Sequence, residues 1–112
     1  MMSEVFRMEV HMAKYIYPAI FTPENGGGYS VRFPDLEGCF TCGDDLQDAL
    51  KMANDALSLV LVGLEDEHKF ISKPSEIGDL SMRKDEFSSL INVDTASYRV
   101  TLNNAKGEDA IK

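Results

Sequence analysis

The chain has 112 residues, with 11 Lys and Arg against 19 Asp and Glu, a formal charge of −8 at neutral pH. Its length suits one small domain, and 44% apolar with 27% charged residues excludes a disordered composition and allows a buried core. The charge is local: residues 35–67 hold nine acids and one base, Lys51, while the remainder balances. Such a block excludes non-specific nucleic-acid binding through it, because phosphate contacts need clustered Lys and Arg. A basic partner is the natural complement. Two cysteines, Cys39 and Cys42, are too few for a secreted disulfide scaffold and point to a reducing cytoplasm. The longest apolar run, 57–64, is broken by Ser58 and Gly63 and falls far short of the ~20 residues that span a bilayer.

Residues 1–13 read as a leader, either disordered or the product of a mis-set start, since Met12 would itself open a plausible protein. Residues 14–22 are rich in Tyr, Ile and Phe and read as a strand, with Pro18 requiring an edge or a bulge because it cannot donate to a ladder. Gly26, Gly27 and Gly28 then supply a hairpin loop before Tyr29, Val31 and Phe33, which alternate with Ser30 and Arg32 as a half-buried strand. After the turn at Pro34, Asp35, Leu36, Glu37 and Gly38, residues 39–42 read as a short third strand that completes an antiparallel meander.

Asp44 and Asp45 stand where a helix N-cap belongs, and Asp48 follows Asp45 by three, in the manner of a capping box. Leu46, Leu50, Ala53, Leu57, Val60 and Leu64 then recur with helical spacing, widened by Ala49 and Ala56. The pattern predicts one long helix packed on the sheet and ending near 63–66. Glu65, Asp66 and Glu67 occupy the wrong end for its dipole. Residues 68–84 read as a polar connection in which Phe70 and Ile71 form a short strand or a pinned loop. Residues 87–93 read as a further strand, and 94–100 as a short helix or turn leading back to the sheet. The fold class is therefore α+β, with its domain at 14–102 and a polar tail at 103–112.

Asp35, Glu37, Asp55 and Asp94 are the candidates for a metal-holding carboxylate cluster of a small nuclease, but nothing in their spacing brings them together. Cys39 and Cys42 lie three apart, so on a strand they point to opposite faces, and only His11 and His68 could complete the four ligands of a structural zinc site, so the two read as ordinary small side chains, one of them buried. The glycine loop precedes no helix and lacks a Lys-Ser/Thr pair, which excludes a phosphate cradle. No cofactor or metal site and no catalytic residue is expected. A free-standing regulatory or oligomerisation domain using its sheet edges is a further alternative.

The run Phe33-Pro34-Asp35-Leu36-Glu37-Gly38-Cys39-Phe40-Thr41-Cys42-Gly43, followed at once by an acid-capped helix, resembles the signature of the HicB family of antitoxins. The resemblance extends over roughly 14–100. It implies a degenerate RNase H-like fold, with a three-stranded meander, a helix and a further strand. It also implies a non-enzymatic bacterial antitoxin that binds and inhibits HicA, a small basic ribonuclease toxin. Many family members continue into a DNA-binding and dimerising module, which would begin near 103–112, so DNA binding is expected only if such a module exists in the full gene. The residues singled out here for toxin binding are Asp35, Glu37, Asp44, Asp45 and Asp48, with Tyr29 as an aromatic anchor, the alternative for Asp44 and Asp45 being helix capping.

Overall fold

A computed structural model of the chain describes residues 14–111, with side chains through 104. Four strands, β1 (Lys14–Pro23), β2 (Tyr29–Arg32), β3 (Phe40–Gly43) and β4 (Phe87–Asp94), form one antiparallel sheet in the order β3-β2-β1-β4. Helix α1 (Leu46–Asp66) packs on one face, and α2 (Thr95–Ile111) follows β4 directly. The meander and the single long helix are those expected from the sequence. The expected further strand closes the sheet against β1. The leader lies outside the described residues.

Pro18 sits where its residue type requires. β1 pairs with β2 only from Ile20 onward but with β4 from Lys14 to Phe21, so at Pro18 one flank of the strand carries no ladder. Tyr17, Ala19 and Phe21 of β1, Val31 of β2, and Ile91 and Val93 of β4 point to the same face as Phe33 and meet Ala49, Ala53, Leu57 and Leu61 of α1. Phe21 stacks on Phe87 across the sheet with ring centroids 5.1 Å apart.

The helix presents a different stripe from the one its leucines suggest. Leu46 and Leu50 remain 43% and 39% exposed, whereas Ala49 and Ala53 are fully buried. The reason is the close approach of β3 to the first turn of α1: a Cβ added at Gly43 would lie 2.4 Å from the Ala49 nitrogen. Ala49 therefore sets the direction that faces the sheet, and Leu46 and Leu50, roughly 60° and 100° around the helix from it, turn outward.

Residues 67–86 form a long connection held at three points. Tyr17 Oη donates to the Ser72 carbonyl, Ser75 donates through its N–H (2.9 Å) and its hydroxyl to Asp35, and Glu86 anchors the far end. Phe70 and Ile71 thus lie in a pinned loop rather than a strand, with half-buried Ile71 packed against the core. Beyond β4 the chain is helical as far as Ile111, so the helix expected near 94–100 is longer than its sequence signal, and the polar tail belongs to it.

Candidate acidic interface along the edge strand

Strand β3 ends the sheet opposite β4, and the segment before it is built to point acids outward. Phe33, Leu36 and Cys39 are buried in the core, while two successive tight turns, Leu36 N–H to the Phe33 carbonyl (3.1 Å) and Cys39 N–H to the Leu36 carbonyl (3.2 Å), fold the chain between them. Three apolar plugs at every third residue leave Pro34, Glu37 and Gly38 exposed and Asp35 at half exposure. Gly38 carries the positive φ, +75°, that the turn needs.

At the other end of β3, Asp45 caps α1 by accepting from the Asp48 N–H (2.7 Å), and Asp48 returns the contact by accepting from the Asp44 N–H (2.8 Å). The N-cap is the expected one, but the return bond goes to the N–H of the residue before the cap rather than to that of Asp45 itself, so the pair is a capping box shifted by one residue. It holds the Asp44 backbone and leaves the Asp44 side chain exposed. The five acids therefore form two groups, Asp35 and Glu37 before the strand, and Asp44, Asp45 and Asp48 after it. β3 has four residues, so at ~3.3 Å per residue its ends stand roughly 10 Å apart.

Between the two groups Phe40 is 72% exposed. Tyr29 is placed differently: it is half-buried, packed against the core and set edge-on to Phe87 with centroids 5.9 Å apart. On this edge the freely presented aromatic ring is Phe40, a residue the sequence reading passed over. Its signal was available, because Cys39 is a buried position and its neighbour on a strand must face outward.

The remaining acids have local structural work. The Glu65 carboxylate accepts from Tyr15 Oη (2.7 Å), Thr95 Oγ1 (2.9 Å) and Arg99 Nη2 (3.0 Å), and Arg99 Nη1 reaches Asp66 at 2.8 Å. Arg99 also donates to the Val62 carbonyl at 3.4 Å. A guanidinium from α2 thereby supplies the positive charge that the C-terminal end of α1 lacks in its own sequence. Burial, followed by the hydrogen bond to Glu65, pushes the Tyr15 phenol far above its usual range.

The candidate metal carboxylates do not converge. Asp35 holds Ser75, Asp55 accepts from Tyr98 Oη (3.1 Å), and Asp94 accepts from the Ala96 (3.0 Å) and Ser97 (3.3 Å) N–H groups at the start of α2. Among the described residues no group of three His, Cys, Asp or Glu side chains is placed to hold a metal ion. Cys39 is buried, which pushes its thiol up to about 11, and Cys42 is exposed on the other face of the strand. No helix of the described residues is long and apolar enough to cross a membrane.

Together these features define a small α+β domain whose one long helix backs an antiparallel sheet and whose terminal strand is bracketed by acids. The chain belongs to the HicB_like antitoxin family of bacterial toxin-antitoxin systems, whose model matches residues 17–105. It is 37% identical over 62 residues to antitoxin HicB 1 of Photorhabdus laumondii, covering 55% of this chain and 40% of that protein. It is 33% identical over 61 residues to antitoxin HicB of Escherichia coli, covering 54% and 44%. The chain thus spans less than half the length of these curated relatives. A chain from a toxin-antitoxin complex of Streptococcus pneumoniae superposes with a TM-score of 0.69 at 26% identity, over 76% of this chain and 72% of that one. A chain of a HicA3 and HicB3 toxin-antitoxin complex shares the fold, with a TM-score of 0.58 at 24% identity over 71% and 99%.

Proposed function

We propose that this chain is the inhibitory partner in a toxin-antitoxin pair, and that it neutralises a small basic HicA-type mRNA-cleaving ribonuclease by laying the β3 edge over the toxin's RNA-binding surface. The observation that carries this reading is the exposed Phe40 between two groups of acids, on a chain of the HicB_like antitoxin family. The acids take the place of RNA phosphates and speed encounter with a cationic surface. Phe40 supplies the desolvated anchor that charges alone do not. Inhibition on this reading is by occupancy, and the antitoxin contributes no chemistry.

The test uses the basic protein encoded beside this chain and an RNA-cleavage assay. Addition of the chain abolishes cleavage. The double variant Glu37→Lys with Asp44→Lys, which spares the capping carboxylates, slows association at low salt by about tenfold or more, and the effect shrinks as salt is raised. Phe40→Ala weakens the complex about 30-fold, the scale of an interface hot spot. If both variants inhibit as well as the unaltered chain, the β3 edge is not the toxin site. If the unaltered chain neither binds nor inhibits, the antitoxin reading itself fails.

A further inference from the structure

The first half of the long connection lies against the turn that opens the acidic edge. Ile71 packs half-buried on the core, the Ser72 carbonyl accepts from Tyr17 Oη, and Ser75 gives both of its donors to Asp35, the N–H to Oδ2 at 2.9 Å and the hydroxyl to Oδ1. All these anchors fall within residues 71–75, and Pro74, whose ring fixes φ, stiffens the chain between Ser72 and Ser75. Asp35 also lies close to Tyr17: burial first, and then the charge of Asp35, pushes the Tyr17 phenol above its ordinary range. The cluster therefore ties together β1, the turn before β3 and the connection.

We propose that Ser75 is a positioning residue for the acidic edge: by clasping Asp35 it holds the 34–38 turn in the shape that presents Glu37 and Phe40 to a basic partner. This rests on the antitoxin reading above and adds to it a residue that touches no partner and stands 40 positions from Asp35 in the chain. The turn has reason to need a clasp. It leads into a terminal strand of only four residues, and Pro34, Glu37 and Gly38 face solvent on it. Its own hydrogen bonds, from the Leu36 and Cys39 N–H groups, span three residues each.

The two roles open to Asp35 predict opposite signs. Both of its carboxylate oxygens are engaged by Ser75, whereas Glu37 two residues on is exposed. If Asp35 acts by shaping the turn, opening the clasp loosens the edge, and the complex then bears the cost of ordering it again. If Asp35 itself meets the partner, opening the clasp frees a carboxylate and tightens the complex. A surface charge that meets a partner also acts mainly on the association rate and its salt dependence, while a group that only orders the surface leaves that dependence unchanged.

Two measurements on the whole chain test the proposal: binding kinetics with the basic protein encoded beside it, at low and high salt, and backbone hydrogen exchange of the chain alone. Ser75→Ala, which removes the hydroxyl and spares the N–H, is expected to weaken the complex about 3- to 10-fold through faster dissociation, with the salt dependence of association unchanged. Exchange at the Leu36 and Cys39 amides should speed up in the same variant. Ser75→Thr keeps the hydroxyl and should restore both readouts. In an Asp35→Ala background Ser75→Ala should add little, because the clasp is already open. Tighter binding by Ser75→Ala overturns the proposal by making Asp35 a direct contact, and lowered stability with unaltered binding overturns it by making Ser75 structural alone. If the unaltered chain binds no basic protein, the antitoxin reading fails. The exchange rates then decide the clasp by themselves, and unchanged rates at Leu36 and Cys39 overturn it.

Discussion

Gly43 shows how one missing side chain sets the geometry of the acidic edge. Its would-be Cβ lies 2.4 Å from the Ala49 nitrogen and 2.5 Å from the Ala49 Cα, both backbone atoms that cannot swing aside. Gly43→Ala must push α1 away from β3, and it is expected to destabilise the fold by about 1–3 kcal/mol, the usual cost of overpacking. Urea denaturation checks this through a lowered midpoint at unchanged slope. Glu86 is the second residue on which much rests. It is buried at the head of β4 and accepts from Arg32 Nη1 (2.8 Å) and Nη2 (3.3 Å), Thr22 Oγ1 (2.6 Å) and the Arg83 N–H (2.8 Å).

The Arg32 hydrogen bonds first, then those of Thr22 and Arg83, hold the Glu86 carboxyl well below the usual range. A depressed folded-state pKa means the charged form stabilises the fold above the ordinary glutamate range, and that this stability is lost as pH falls from that range toward the depressed value. Glu86→Gln should therefore lower the thermal midpoint clearly at pH 7, and the gap to the unaltered chain should narrow progressively in acid. A gap constant across pH would mean that shape rather than charge holds the cluster.

At the scale of elements, α1 is specified at its start by its own sequence and at its end by another helix. The Asp45 and Asp48 exchange is a local contact of three and four residues, and Asp45→Ala should cost about 1 kcal/mol while Asp45→Asn costs much less. Thermal unfolding of the two variants separates the cap's hydrogen bond from the carboxylate charge. The N-cap at Asp45, the helix span and the three-stranded meander were all legible in the sequence, because each rests on periodicity, turn chemistry or contacts a few residues apart. The buried stripe was legible only in part. Leu46 and Leu50 look like core by hydrophobicity, yet the clamp of Gly43 on Ala49 turns them outward.

For the whole molecule, the acidic block seen in the sequence resolves into different roles. Asp45 and Asp48 cap α1, Asp35 pins the long connection, Asp55 meets Tyr98, and Glu65 with Asp66 takes Arg99. Glu37 and Asp44 stand exposed at the two ends of β3 with Phe40 between them. The sheet order sends this edge and the uncharged β4 edge to opposite sides of the molecule. On the proposed reading, rising salt should weaken binding of a basic partner at the β3 edge, because screening acts on a pairing of unlike charges.

The sequence by itself determined the order and type of the main elements, the turn that aims acids outward, and the family signature, since these depend on neighbours within a few residues. Only the tertiary structure decided which acids remain available to a partner, which aromatic ring is presented with them, and which strand closes the sheet. Those outcomes hang on Ser75 reaching Asp35 across 40 residues, on Arg99 reaching Glu65 across 34, and on β4 pairing with β1 from the far end of the chain. A charge is free or committed according to what the fold brings beside it, and no local pattern records a neighbour that distant.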